Sequence, residues 1–495
     1  MVSDKFSIIM VFALYLLFMV AIGAVYYNRT VNLSDYILGG RKLNSWVTAL
    51  SSQASDMSGW LLLGLPGYAY LAGMESIWIA VGLAVGTYLN WKFIAKRLRK
   101  YTQVAGDAIT IPVYLENRFR DRSKSLRIIS ALLILIFFLF YTSSGLVAGG
   151  KLFSTVFDVP YLTALTIGTV VIITYTFLGG FMAVCWTDFF QGMLMLFAIM
   201  LVPIAGVQKV GGYGSTTDMI RSIDPQLLNP FTSTGGEMIS LIAIVSLLAW
   251  GLGYFGQPHI LVRFMAIQHS EQIKQARTIA MVWVIISLAF AVFVGIVGMA
   301  LFPGSLEGAA SEKIFMLMVN ELFHPLIAGV LLAAILAAIM STADSQLLVS
   351  ASAFTEDIYK LLFKHDASEK ELVWMGRFAV IMVSIIAYYF ALDPESSVLD
   401  LVAYAWAGFG AAFGPTIIFS LFWKRMTRNA ALGGLISGGL MVILWKQLNG
   451  GIFDLYEIVP GFVLSCIVIL AITMLEKEPS DEIKEEFDRV AVADI

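Results

Sequence analysis

Cysteine and histidine are nearly missing from this sequence: two and four residues respectively among 495. Cys185 and Cys466 lie in or beside apolar runs, with no spacing suited to a disulfide framework or a metal cluster. The histidines are scattered, with no HxxxH or HExxH. There is no nucleophile–base pair, P-loop or metal motif, so no constellation supports an enzyme. Charge is scarce as well. Only 14% of residues are charged and 59% are hydrophobic, against about a quarter and about a half in soluble domains. The net charge of −3 points to no partner, and no nucleic acid is expected. Met1 to Lys5 lacks the cationic start and small-residue cleavage site of a signal peptide, so the first apolar run is expected to be a retained helix.

What the sequence has instead is apolar blocks about twenty residues long, the length that crosses a bilayer as a helix. The alternation in shorter segments that marks barrel strands is not seen, which leaves helices as the spanning element. The chain therefore reads as an all-α integral membrane protein with about thirteen spans. They are predicted near 6–27, 46–68, 74–95, 126–153, 161–180, 184–206, 237–260, 273–303, 325–355, 373–392, 398–424, 429–446 and 456–475. No linker divides them, so residues 1–475 form one expected domain, followed by a short, mobile acidic tail over 476–495.

Lysine and arginine set the expected orientation. The basic loops are the first, third, seventh, ninth and eleventh, together with the tail. The third alone holds Lys96, Arg97, Arg99, Lys100, Arg118, Arg120, Arg122, Lys124 and Arg127. Roughly 25 of the 32 basic residues fall on that side. The N-terminus is thus expected outside and the C-terminus in the cytoplasm, in the cell membrane and in contact with its lipid.

Two spans are interrupted. The second carries Ser51-Ser-Gln-Ala-Ser-Asp-Met-Ser-Gly59 across its expected midplane. The seventh is punctuated by Gly251, Gly253, Gly256 and Pro258. Such breaks at matching places in two halves mark transporter binding sites. They lie five spans apart, as the first helices of two inverted repeats (about 46–206 and 237–424) would. A charge at the bilayer centre costs at least about 2.5 kcal/mol, so Asp56 is either a carboxylate satisfied by its serine neighbours or a functional one. The unwinding around it favours function.

In the ninth span Ala338, Ser341, Thr342 and Ser345 share one helical face. Small residues at this spacing can simply bring helices close. They can also supply hydroxyls to a sodium ion, with carbonyls freed from the broken second span, and the break favours that reading. Asp344 beside this face and Asp188 in the sixth span are candidates for a second cation, unless Asp188 is merely solvated at the interface. Trp250 and Tyr254, four residues apart beside the glycine-rich break, suggest a substrate wall, as aromatic faces pack on apolar rings. Tyr141 interrupts the fourth span. Arg41, after a Gly-Gly pair, either anchors a helix end or forms part of a gate.

At these residues the chain resembles the sodium/solute symporter family, most closely its proline-transporting branch. The resemblance runs over nearly the whole chain. It rests on Asp35-Tyr-Ile-Leu-Gly-Gly-Arg41, on Ala54-Ser-Asp-Met-Ser-Gly-Trp60 with Gly64-Leu-Pro-Gly67, and on Trp250-Gly-Leu-Gly-Tyr-Phe-Gly-Gln-Pro-His259. Ile335-Leu-Ala-Ala-Ile-Met-Ser-Thr342 and Tyr404-Ala-Trp-Ala-Gly-Phe-Gly-Ala-Ala-Phe-Gly-Pro415 extend it. It implies a LeuT-type fold of two five-helix inverted repeats, with one helix before and two after. It implies a sodium site of Ala54, Met57 and Ala338 carbonyls with Ser341 and Thr342 hydroxyls, sodium being the coupling ion and no organic cofactor being needed. It implies an L-proline site in or near Asp56, Ser58, Gly59, Trp60, Tyr141, Trp250, Tyr254 and Pro258, and a coupling role for Arg41. Asp344 departs from the pattern, standing where some proline-branch members carry serine. In other branches a hydroxyl near here and an acid like Asp188 help to hold a second sodium, which makes Asp188, Asp344 and Ser345 the candidate second site.

The rival within this class is a sodium symporter for another small solute, such as a different amino acid or pantothenate, which would keep the hydroxyl face and change the aromatic wall. A channel would want a continuous polar path, whereas the midplane polar residues suit an occludable pocket. A sensor would need an output domain that the short tail cannot supply.

Overall fold

The structure, a computed structural model, describes residues 2–27, 33–178, 180–233 and 235–492. Among these residues there is no strand, only two isolated bridges. The helices are α1 Val2–Tyr27, α2 Leu33–Leu38, α3 Ser45–Asp56, α4 Leu65–Ala72, α5 Ile77–Leu89, α6 Ala95–Val104, α7 Ile111–Arg118, α8 Ser125–Phe157, α9 Tyr161–Leu178, α10 Phe181–Val210 and α11 Tyr213–Ile223. There follow α12 Leu241–Leu248, α13 Pro258–Ala266, α14 Ile273–Leu301, α15 Ile314–Leu322, α16 Pro325–Phe354, α17 Glu369–Phe390, α18 Val398–Phe422, α19 Arg428–Trp445, α20 Ile458–Leu475 and α21 Asp481–Val492.

Local chemistry sets many of these boundaries. Asn44, Ser240, Ser368, Ser397 and Thr427 each accept a backbone N–H of the first turn of the helix they precede, satisfying donors that a helix start leaves free. Pro66, Pro258 and Pro325 sit in first turns, where a missing N–H does no harm.

By length and apolar composition, ten of the described helices can cross a membrane, or eleven if the pair Leu241–Gly256 and Pro258–Ala266, bent by 46°, is one span. The expected count of about thirteen is not reached on those criteria, for physical reasons. Residues 60–104 run as one apolar stretch, although Gly73, at φ +69°, turns the chain between α4 and α5. The first half of the second predicted span is a separate, short and polar helix of 12 residues, and in α9 the apolar run among the described residues is Tyr161–Thr174.

The middle of the bundle is α16 and α18, almost wholly enclosed, while α1 and α20 show most of their surface outward. Outward-facing side chains such as Leu14, Leu17, Val170, Phe197, Ile285, Ile385 and Ile467 are apolar and exposed, a surface suited to lipid. Close crossings use glycine. A Cβ on Gly86 would stand 2.2 Å from the Gly251 carbonyl oxygen, so α5 meets the backbone of the seventh predicted span directly.

The sequence reading missed the short helices α2, α7, α11 and α15, which are too brief to register as apolar blocks. It also expected a mobile tail. The structure instead places a helix there, α21, with Phe487 and Val490 buried. Ile483, Phe487 and Val490 recur at i, i+4 and i+7, one helical face, hidden in an acidic composition. Phe487 lies beneath the guanidinium groups of Arg97 and Arg118, at 4.7 and 5.3 Å, and Glu486 pairs with Arg120 at 2.7 Å.

Candidate functional site

Helix α3 stops at Asp56. Met57 leaves helical geometry at φ −82°, ψ 78°, and a π-helical turn over Trp60–Gly64 restarts the span. The stop follows from sequence. Serines and aspartate compete for backbone groups and favour turns over helix interiors, and Gly59 adds backbone freedom. The Ser58 N–H donates to the Asp56 carbonyl at 2.9 Å, a short-range bond no α-helix makes. A Cβ on Gly59 would be 2.8 Å from that of Ala148, so the break is pressed against α8. The opposite span breaks where α12 passes into a 3₁₀ segment over Ala249–Gly256, and Gln257 turns extended before Pro258.

The hydroxyl face of α16 meets the end of α3. Ser341 Oγ donates to the Ala54 carbonyl at 2.8 Å, and Thr342 Oγ1 lies 3.3 Å from the same oxygen. The Ala338 carbonyl is 3.2 Å from Ser341 Oγ. Ala54, Ala338, Ser341 and Thr342 are therefore one cluster of oxygens, fully buried apart from a trace at Thr342. Met57, the fifth predicted ligand, is the buried residue at the break itself. Hard cations take such oxygen ligands. Among the described residues no group of three or more His, Cys, Asp or Glu could hold a metal ion, so the cluster offers neutral oxygens and not a carboxylate or thiolate cage.

One turn away, the aromatic residues converge on Asp56. Tyr254 donates to Asp56 Oδ2 at 2.6 Å. Tyr141 and the Trp60 indole N–H both donate to the Asp56 backbone carbonyl, at 3.0 and 3.1 Å. Trp60 and Trp250 face each other with centroids 6.4 Å apart. Several buried polar atoms here find no partner within the protein: Asp56 Oδ1, Ser52 Oγ, both amide atoms of Gln53 and both ring nitrogens of His259. Buried polar groups are nearly always hydrogen-bonded, so these atoms are open to partners from outside the protein, water or a small polar solute among them.

Pro258 lines a small hollow with Ile37, Ile109, Val262 and Leu348. A cavity of about 490 Å³ between α5, α11 and α14 is lined almost entirely by apolar side chains and takes no part in the site.

Of the candidate second-cation residues, Asp188 and Ser345 come together, but through a residue the sequence reading passed over. Arg263 on α13 reaches Asp188 Oδ2 at 3.3 Å, Ser51 Oγ at 3.1 Å and Ser345 Oγ at 2.5 Å. Asp344 turns elsewhere, accepting from Thr176 at 2.5 Å. A lone arginine inside an apolar run was the signal that could have found it.

Arg41, at φ +54°, is a hub. It bonds Asp107 at 2.9 Å, the Met265 carbonyl at 2.6 Å, the Ala108 carbonyl at 2.9 Å and Thr102 at 3.3 Å. It thereby ties the loop after α6 to the end of α13. Burial pulls its pKa below the usual arginine value, against the pull of Asp107.

The wall also contains residues distant in sequence. Tyr456 stacks on Trp250 at 5.5 Å. Trp406 sits edge-on to Tyr254 at 5.0 Å and donates to the Trp250 carbonyl at 2.7 Å. Asn90 donates to the Tyr254 carbonyl at 3.0 Å.

Comparison with known proteins bears on this arrangement. A sequence profile of the Sodium:solute symporter family matches residues 36–438. The high-affinity proline transporter PutP of Bacillus subtilis is 51% identical over 472 residues, covering 95% of this chain and 98% of that protein. The sodium/proline symporter of Escherichia coli is 50% identical, covering 96% and 94%. Among solved structures, a sodium-coupled sialic acid symporter in a substrate-bound outward-open state shares the fold, with a TM-score of 0.79 at 21% identity over 96% of this chain and 99% of that one. Mhp1, a nucleobase-cation-symport-1 family transporter, follows at a TM-score of 0.57 and 15% identity, covering 93% of this chain and 100% of that one.

Proposed function

This chain belongs to the sodium:solute symporter family, has its LeuT-type fold, and on that premise we propose that it imports L-proline across the cell membrane by coupling it to sodium entry. The observation that carries the proposal is the meeting of the Ser341 and Thr342 hydroxyls with the Ala54 carbonyl at the break beside Asp56. Relatives about 50% identical over almost their whole length and named for proline support the choice of solute.

In this reading sodium binds first, from outside. It is held by the carbonyls of Ala54, Met57 and Ala338 and by the two hydroxyls, which fixes the broken span against α16. The restarted segment after Ser58 and Gly59 then presents N–H groups to the proline carboxylate, since the start of a helical segment attracts anions. The pyrrolidine ring packs on Trp250 and Tyr254, with Trp60 and Tyr141 closing the pocket and Asp56 near the ring nitrogen. Closure outside and opening inside release both ligands. Arg41, across the basic end of the bundle, is placed to control the inner opening. A membrane potential of 100 mV gives about 2.3 kcal/mol per charge. With a tenfold sodium gradient, worth about 1.4 kcal/mol, one sodium per cycle sustains roughly 500-fold accumulation.

The test is uptake of labelled L-proline into proteoliposomes under an inward sodium gradient, with potassium as control. The expected outcome is sodium-dependent accumulation above the external level, lost when Ser341→Ala is combined with Thr342→Ala. Equilibration without accumulation in active vesicles would end the proline reading and send the same vesicles to other small carboxylates. The proposed orientation, N-terminus outside and C-terminus in the cytoplasm, is checked with single cysteines at Ser305 and Ser368. Only the first should react with an impermeant reagent added outside.

A further inference from the structure

We propose that the cavity between α5, α11 and α14 is a binding site for one acyl chain of a membrane phospholipid, separate from the solute site. The inference does not depend on which solute the protein carries. The cavity measures about 490 Å³, a size usual for small-ligand sites. Ile77, Ala80 and Ala84 line it from one face of α5, and Leu288, Val292 and Ile296 from one face of α14.

The chemistry of the lining selects an apolar occupant. Thr216 and Thr217 are among its few polar members, and their hydroxyls donate to the Gly212 and Gly214 carbonyls of their own segment at 3.0 and 2.8 Å. A water molecule held in a protein needs two to four polar partners, which such walls do not offer. Beside the cavity Val81 and Ile285 are apolar and exposed, so its mouth opens on the outward surface of the bundle, where the surrounding medium is hydrocarbon.

Its length and position select a lipid chain. On α14 the lining runs from Ile285 to Ile296, about 16 Å of helix. This is about half of the roughly 30 Å hydrocarbon core. Ile285 lies near the middle of α14 and Ile296 near its end, so the cavity extends from the midplane to one surface, the reach of a chain in a single leaflet. The helix that covers the surface end fits the same placement. On α11, Tyr213, Thr216, Ile220 and Ile223 share one face, with Asp218 and Ser222 opposite. Thr216 and Ile220 are buried, while Met219 and Ile223 are exposed. A helix of this kind lies along the membrane interface, at the depth of a lipid headgroup.

The flanking helices press on both broken spans. A Cβ on Gly82 of α5 would stand 2.3 Å from the Leu248 carbonyl oxygen, and one on Gly295 of α14 would stand 2.4 Å from that of Pro66. An acyl chain between α5 and α14 therefore sets the spacing of the two helices that back the breaks. Moving from bulk lipid into the cavity brings the chain no hydrophobic gain, so retention rests on packing contacts along its length. Binding is accordingly saturable and exchangeable.

The experiment uses a phospholipid with a photoactivatable diazirine midway along one acyl chain, mixed into proteoliposomes at increasing mole fraction. After irradiation, adducts are mapped by mass spectrometry. Adducts on α11 and on residues 285–296 should saturate, whereas those on the outward faces of α1 and α20 should rise in proportion to the probe. Ala289→Trp, which fills the cavity, should remove most of the lining adducts and leave those on α1 and α20 unchanged. Ala84→Leu, a smaller filling, serves if the tryptophan variant does not fold. Lining adducts that rise in proportion to the probe would mean bulk lipid only and overturn the proposal. So would adducts that persist in a folded filled variant, or lining adducts formed by a diazirine fatty acid and not by the phospholipid.

Discussion

Tyr254 donates its phenolic hydrogen to Asp56 Oδ2 at 2.6 Å, joining residues 198 positions apart. This bond ties the break in the second predicted span to the break in the seventh, so the two interruptions form one site. A hydrogen bond to a charged group is worth about 1.5–3 kcal/mol. Tyr254→Phe is therefore expected to raise the sodium concentration for half-maximal uptake roughly tenfold or more. Tyr141→Phe should do less, because the Asp56 carbonyl it serves keeps the Trp60 indole at 3.1 Å. Sodium titrations of proline uptake rank the two; the reverse order would show that the link between the breaks is unimportant.

The crossing of Gly86 and Gly251 makes a second prediction. A side chain on Gly86 would meet backbone, not a flexible tip, at 2.2 Å. Overpacking of even small groups costs about 1–3 kcal/mol where neighbours can shift, and a backbone neighbour shifts little. Gly86→Ala should lower both the amount of folded protein and the uptake per molecule. Gly149→Ala, also in a buried helix but with nothing within 4 Å of the added carbon, should be close to wild type. Quantitative membrane blots beside transport assays separate these outcomes.

Much of this was legible before any coordinates. The polar run Ser51 to Gly59 and the glycines around Trp250 contradict an unbroken apolar helix, so both breaks could be placed. The face of Ala338, Ser341 and Thr342 follows from helical spacing alone, and Ala54 meets it. What sequence could not give was partnership over distance. Nothing local in Tyr456 or Trp406 says that they pack on Trp250 and Tyr254. Attention to the acids Asp188 and Asp344 hid the arginine that reaches Asp188, since a span of apolar residues around Arg263 gives its charge no visible partner. Pro258, which the family resemblance puts in or near the solute site, starts α13 and lines a small hollow, a setting that no local sequence pattern reveals.

The docked tail gives a third prediction. Burial pushes the Glu486 carboxyl above the ordinary range, against the pull of Arg120, Arg118 and Arg489. The sign follows from linkage. A carboxyl raised in the docked state favours docking while protonated, and that advantage is lost as pH rises through the raised value. Protection of residues 481–492 from hydrogen exchange, with the intrinsic pH dependence of exchange divided out, should therefore fall from acid to neutral pH. Glu486→Gln should flatten that dependence. Phe487→Ala should release the helix at every pH, removing up to about 3 kcal/mol of buried aromatic packing. A tail equally protected in all three proteins would show that α21 is held by other contacts.

The last prediction concerns Tyr456, which lies outside every motif of the sequence reading. Its ring stacks on Trp250 at 5.5 Å, and its hydroxyl donates to the Ala403 carbonyl at 2.6 Å. The two contacts do different things. The hydroxyl anchors the ring to α18, while the ring backs the indole that faces the proposed solute. An aromatic pair is worth about 0.5–1.5 kcal/mol beyond the area it buries. Tyr456→Phe keeps the stack and should change the half-saturating proline concentration by less than about threefold. Tyr456→Ala removes the stack and lets Trp250 tilt, so that constant should rise by roughly tenfold. Sodium dependence should move little, because the Ala54 carbonyl is held by Ser341 and Thr342, whereas Tyr456 acts on Trp250 and Ala403. Competition by ring analogues of different size gives the check: a loosened indole should discriminate less between five- and six-membered rings. Equal discrimination in Tyr456→Ala and wild type would mean that Trp250 is fixed by the Trp406 bond to its carbonyl and not by the stack.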